Sequence, residues 1–95
     1  MSAVVYIVRC ADGRYYVGST RGPLELRLAQ HDDGTFDGFT AGRRPVALVY
    51  QERFDRITDA IAAERRIKSW RRAKKEALIA GNRDRLRDLS WNWGR

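Results

Sequence analysis

Two short β-branched and aromatic runs, residues 4–10 (VVYIVRC) and 14–19 (RYYVGS), flank Ala11-Asp12-Gly13. An Asp-Gly step between such runs is a strong short-range hairpin signal. Loop length then decides which side chains share a face. A two-residue loop would pair Tyr6 with Ser19 and turn Tyr16 to the opposite face, because strand side chains alternate with period two. A three-residue loop pairs Cys10 with Arg14 and sets Tyr6 opposite Gly18. It also puts Gly13 where the turn wants a left-handed residue. The three-residue loop is therefore expected. Tyr6 and Tyr16 become diagonal neighbours on one face, roughly 7–8 Å apart, and Gly18 leaves open space beside Tyr6.

The remaining chain reads as helices around one more strand. Residues 23–32 (PLELRLAQHD) form a helix with Pro23 in its first turn. Leu24, Arg27, Leu28 and His31 fall at i, i+3, i+4 and i+7, so an arginine and a histidine share the leucine stripe. Residues 33–45 are polar, with three glycines and Pro45, and read as a loop. Residues 46–54 (VALVYQERF) read as a third strand, with Val46, Leu48, Tyr50 and Glu52 on one alternate set. Asp55 is the expected cap of a helix from about Ile57 to Arg71, with an apolar stripe of Ile57, Ala60, Ile61 and Ile67. Glu64 interrupts that stripe. A buried unpaired carboxylate is costly, so Glu64 must be paired, bound to a cation, or at the edge of the buried face. Residues 73–80 read as a last helix stopped by Gly81.

At 95 residues the chain has room for one core, and a hydrophobic fraction of 43% is enough to form it. The formal charge is +7, from 19 Lys and Arg against 12 Asp and Glu, and most of the basic residues follow position 42. Such a field attracts polyanions. Lys68, Arg71, Arg72, Lys74 and Lys75 form a basic run that is either a solvated face or a phosphate-tracking stripe. One cysteine and one histidine exclude an internal disulfide and a Cys/His zinc set. Cys10, with no general base indicated beside it, reads as packing. No apolar run is long enough to span a membrane, and no signal segment opens the chain. A reducing cytoplasm is the expected compartment.

The chain resembles a GIY-YIG domain, the fold of a superfamily of metal-dependent phosphodiesterases that includes the nuclease module of bacterial excision repair. It is most similar to the small stand-alone bacterial branch. The resemblance rests on Val5-Tyr6, Tyr16-Val17-Gly18, Arg27, His31, and Glu64 in Ala63-Glu64-Arg65-Arg66-Ile67-Lys68-Ser69-Trp70. The segment 42–50 (GRRPVALVY) also matches. It covers about residues 3–80. Val4 and Val5 replace the first motif's glycine and isoleucine, and Val17 replaces the second motif's isoleucine, so the pattern is loosened while strands are preserved. The resemblance implies a small α/β domain with a three-stranded antiparallel sheet flanked by helices. Length alone points to a single domain over 1–95, and Leu86, Leu89, Trp91 and Trp93 make residues 82–95 an expected tail packed on the core.

By the same resemblance, Tyr6 and Tyr16 contact the attacking water or the phosphate, Arg27 holds the phosphate, and Glu64 binds one Mg²⁺ or Mn²⁺ ion. His31 is a proposed base or phosphate contact, and Gly18 is the second motif's glycine. The chemistry is consistent on its own terms. A phenol ionises near 10 and is a base only if that value is lowered or a metal shares the task. An arginine fork pairs two phosphate oxygens. One carboxylate suits a cation that keeps its waters and argues against a two-metal site. Tyr15 and Tyr50 are weaker candidates. The implied function is hydrolysis of DNA phosphodiester bonds in repair or recombination, on sequence-tolerant DNA. The alternatives are a nucleic-acid-binding module with weak or lost catalysis, and an interaction domain of a larger repair assembly.

Overall fold

The computed structural model describes residues 2–32 and 43–82, with the side chains of His31 and Asp32 outside the described set. The expected packed tail lies outside it from residue 83 onward. The element order is β1 (Ala3–Cys10), β2 (Tyr15–Thr20), α1 (Leu24–Asp32), β3 (Val46–Phe54), α2 (Ile57–Lys68) and α3 (Arg72–Ala80). The three strands form an antiparallel sheet in the order β2-β1-β3. The fold is thus the α/β arrangement that the sequence implies, with β2 at an edge.

The hairpin has the three-residue loop. The Cys10 N–H donates to the Arg14 carbonyl at 2.8 Å and the Gly13 N–H to the Cys10 carbonyl at 2.9 Å. Gly13 takes φ 87°, a left-handed conformation that costs glycine least. The Arg14 N–H donates to Asp12 Oδ1 at 3.0 Å, which fixes the turn further. The register follows: Tyr6 pairs with Gly18, and Val8 with Tyr16.

Alternation along β1 and β2 splits the sheet chemically. Ala3, Val5, Ile7 and Val17 lie on one face and pack with Ala60 and Ile67 of α2. Val5 and Ile7 are fully buried, and each such side chain stabilises the fold by about 1.5–3 kcal/mol relative to exposure. Tyr6, Val8, Tyr16 and Gly18 belong to the other face. Tyr6 and Val8 are also buried there. The helix α1 begins just beyond the end of β2 and lies against β3. No helix among the described residues is long and apolar enough to cross a membrane.

Four local expectations are corrected. In β3 the register shifts between Ile7 and Val8, so Ile7 pairs with Tyr50 but Val8 with Leu48. Val49 is the extra residue of a bulge, which flips the alternation. Val46 and Leu48 therefore face the opposite side from Tyr50 and Glu52, not the same side. The helix α2 ends at Lys68 rather than Arg71. Ser69 closes it: its N–H donates to the Arg66 carbonyl at 3.2 Å, its Oγ to the same carbonyl at 2.7 Å, and the Trp70 N–H to the Ile67 carbonyl at 3.0 Å. Arg71 is then extended and opens α3 as a separate helix. The residue at the N-cap of α2 is Arg56, which makes no side-chain cap, so Asp55 does not serve there. Ile61 is 37% exposed, because α2 turns Ala60 and Ile67 to the sheet instead.

Candidate active site

Tyr6 sits on the central strand, 1% exposed, with its ring directed across Gly18 toward the sheet edge. The Tyr6 and Tyr16 ring centroids are 6.4 Å apart, with planes tilted by 41°. The two phenols share one face, as the loop length requires. A Cβ on Gly18 would fall 2.6 Å from Tyr6 Oη, 2.7 Å from Tyr6 Cζ and 3.0 Å from Tyr16 Cε2. Gly18 thus supplies room and not a special backbone angle.

Burial raises the Tyr6 pKa well above the ordinary phenol value. Tyr16 raises it further, the Arg27 guanidinium pulls it back, and the Glu64 carboxylate raises it. All three neighbours therefore lie within electrostatic reach of the Tyr6 hydroxyl. The direction matters for chemistry, because Tyr6 remains a neutral phenol at physiological pH and acts as a hydrogen-bond donor.

Glu64 approaches from the other face. Ser19 pairs with Val5 in the hairpin register, so its side chain points toward α2. Its Oγ donates to Glu64 Oε1. Lys68, one turn along α2, places Nζ 2.7 Å from Glu64 Oε2. The Glu64 side chain is 18% exposed. Burial alone pushes its pKa up. The hydrogen bonds from Lys68 and Ser19, with the charges of Lys68 and Arg65, outweigh that and hold the carboxyl below its ordinary 4.5. Glu64 is ionised at neutral pH.

Arg27 is half-buried on α1. With Ser19, Thr20, Arg21, Gly22, Ile57 and Ile61 it lines an open cleft of about 380 Å³. The cleft runs from the end of β2 to the starts of α1 and α2, and it joins the side carrying Ser19 to the arginine. His31 lies in the last turn of α1. Its side chain is outside the described set, so the structure makes no statement on its expected role.

The other candidates are engaged elsewhere. The Tyr15 hydroxyl donates to Glu76 Oε2 at 3.2 Å and the Tyr50 hydroxyl to Glu52 Oε1 at 2.7 Å. Cys10 is buried and its thiol is pushed up, first by burial and then by Asp12, which makes it a packing group. The basic run is not one solvated row. Lys68 is on Glu64. Arg72 Nε donates to Glu76 Oε2 at 3.1 Å, and its guanidinium lies 4.6 Å over the Tyr15 ring. Lys74 is 7% exposed, with Nζ 4.0 Å over the Trp70 ring. The break at 69–71 changes the helical phase and turns Lys74 inward, so Lys74 is corrected from an exposed phosphate contact to a buried cation. Arg71 is exposed and Lys75 half-buried.

Sequence reasoning did not single out Ser19 or Arg21 as site residues. The signal for Ser19 was available: once Tyr6 is set opposite Gly18, Ser19 must point to the face that α2 covers. Among the described residues no group of three or more His, Cys, Asp or Glu gathers to cage a metal. One ionised carboxylate beside a hydroxyl is nevertheless a fitting donor set for a hard cation that keeps most of its waters and takes substrate phosphates.

Comparison with known proteins bears on the family and the fold. A family model described as the GIY-YIG catalytic domain matches residues 2–77. A UPF0213 protein of Natronomonas pharaonis is 49% identical over 76 residues, covering 80% of this chain and 88% of the relative. A UPF0213 protein of Streptococcus pneumoniae is 36% identical over 94 residues, covering 97% of this chain and 94% of the relative. The solution NMR structure of a UPF0213 protein from Bacillus halodurans superposes with a TM-score of 0.57 at 34% identity, covering 86% of each chain. That of a protein from E. faecalis gives 0.60 at 35% identity, covering 85% of each.

Proposed function

Because this chain belongs to the GIY-YIG catalytic-domain family, we propose that it is a divalent-metal-dependent endonuclease that hydrolyses DNA phosphodiester bonds, with a role in repair or recombination. The observation that carries this reading is the pairing of Tyr6 and Tyr16 on one face across Gly18, with Arg27 and Glu64, distant in the chain, close enough to act on the Tyr6 hydroxyl. Arg27 clamps the scissile phosphate and stabilises the charge that develops on it. Tyr6, held neutral, donates a hydrogen bond to the phosphate or to the attacking water. Proton acceptance is assigned to Tyr16 or His31 and not to Tyr6. Glu64 would hold Mg²⁺ or Mn²⁺, which when bound neutralises phosphate charge and assists the leaving oxygen. Arg71 and Lys75, with Arg21 at the cleft, supply sequence-tolerant contacts to the DNA backbone.

The test is incubation of the protein with labelled linear and branched DNA and Mn²⁺, beside Arg27→Ala and Glu64→Ala. Cleavage by the unsubstituted protein alone supports the enzyme. Equal cleavage by all three refutes the assigned site.

One observation favours a second reading. The Lys68 ammonium already neutralises Glu64, as it would in a nucleic-acid-binding module without catalysis. That module would bind DNA with a steep salt dependence, cut none of it, and keep its affinity in Glu64→Gln.

A further inference from the structure

Glu64 has a different kind of partner on each carboxylate oxygen. Oε1 accepts from Ser19 Oγ, a neutral group fixed on a strand. Oε2 faces Lys68 Nζ at 2.7 Å. Lys68 is a long, flexible side chain, 51% exposed, on the same helix one turn away. A neutral hydroxyl that orients a carboxylate is compatible with a cation on that carboxylate, as supporting hydrogen bonds at metal sites generally are. An ammonium competes with it, because two cations on one carboxylate repel. The Lys68 side chain is half in solvent, so its ammonium can return to water at modest cost.

We infer that Ser19 is a positioning residue that aims the Glu64 carboxylate, while Lys68 is a built-in counter-cation that a divalent ion must displace from it. This rests on the reading of Glu64 as the metal-holding residue. The two neighbours of one carboxylate then act with opposite sign. Ser19 favours occupancy by preordering the ligand. Lys68 opposes it, and stabilises the carboxylate when no metal ion is bound. A purely structural role would make loss of either residue harmful in the same direction.

The measurement is Mn²⁺ affinity of the full chain at low salt, read from the disappearance of the free-ion electron paramagnetic resonance signal, with no DNA present. Circular dichroism verifies that each variant is folded. Lys68→Met is expected to bind Mn²⁺ about three- to tenfold more tightly than the unsubstituted protein. Ser19→Ala is expected to bind about tenfold more weakly. Lys68→Arg, which keeps the charge, stays near the unsubstituted value. Binding seen only in Lys68→Met would be the extreme form of the expected result. Equal or weaker binding by folded Lys68→Met, with Glu64→Gln still abolishing binding, overturns the displacement proposal and leaves Glu64 as the metal residue. Binding by Glu64→Gln equal to the unsubstituted protein, or no binding by any variant, overturns both.

Discussion

The chain builds one motif twice. Glu64–Lys68 on α2 and Arg72–Glu76 on α3 are both i,i+4 ion pairs. Each carboxylate also accepts from a hydroxyl on the same face of β2, Ser19 for Glu64 and Tyr15 for Glu76. Environment separates them. The Glu64 side chain is 18% exposed and the Glu76 side chain 48%. Glu64 also acts on the buried Tyr6 hydroxyl, alongside Arg27. Glu76 meets Arg72 and Tyr15 at a wet surface, where such pairs contribute little. A carboxylate's pairing partner therefore says little about its role. Its depth, and what else gathers around it, says more.

The sharpest attempt to break this contrast exchanges each carboxylate for its amide. Glu64→Gln should lower DNA cleavage roughly 10²–10³-fold, while Glu76→Gln stays within about twofold, since it touches none of the proposed machinery. Equal losses in a cleavage time course would erase the distinction. Next in size is Gly18→Ala, which drives a methyl into a Tyr6 ring with no room to move. Overpacking of this kind costs about 1–3 kcal/mol, and a urea melt should show it together with reduced cleavage. A variant as stable and active as the parent would mean that the two phenols do not depend on that space.

Acid titration should separate the pairs further. The Glu64 pKa is depressed in the folded state, so its stabilising contribution is complete above the unfolded value, near 4.5, and is lost as pH falls through the lower folded value. The stability difference between the parent and Glu64→Gln should thus be constant around pH 7 and shrink below about pH 4.5. Urea midpoints across that range measure it, and a difference that grows in acid would reverse the assigned sign. The smallest effect belongs to the surface pair: Glu76→Gln should cost less than about 1 kcal/mol and lose most of that effect in high salt.

Short-range rules carried much of this fold. The Asp-Gly turn and strand alternation place both phenols on one face, and the stripe on α1 places Arg27 among the leucines. The same rules failed at two places, one set by long-range pairing and one by a local cap. The bulge at Val49 arises from how β3 meets β1, so residues 46–54 alone read as an unbroken alternation. The helix stop at Ser69 comes from local carbonyl capping within a run of good helix formers, where residue preferences point to continuation. That stop turned Lys74 inward and divided the basic run.

Sequence by itself determined the parts: a hairpin with a glycine beside a tyrosine, a helix arginine, and a glutamate lodged in an apolar stripe. All of these follow from interactions among near neighbours in the chain. Only the tertiary structure decided their company. Ser19 is 45 residues from Glu64, and no local preference links them. Their hydrogen bond exists because β2 lies at the sheet edge under α2, and packing of the apolar face put it there.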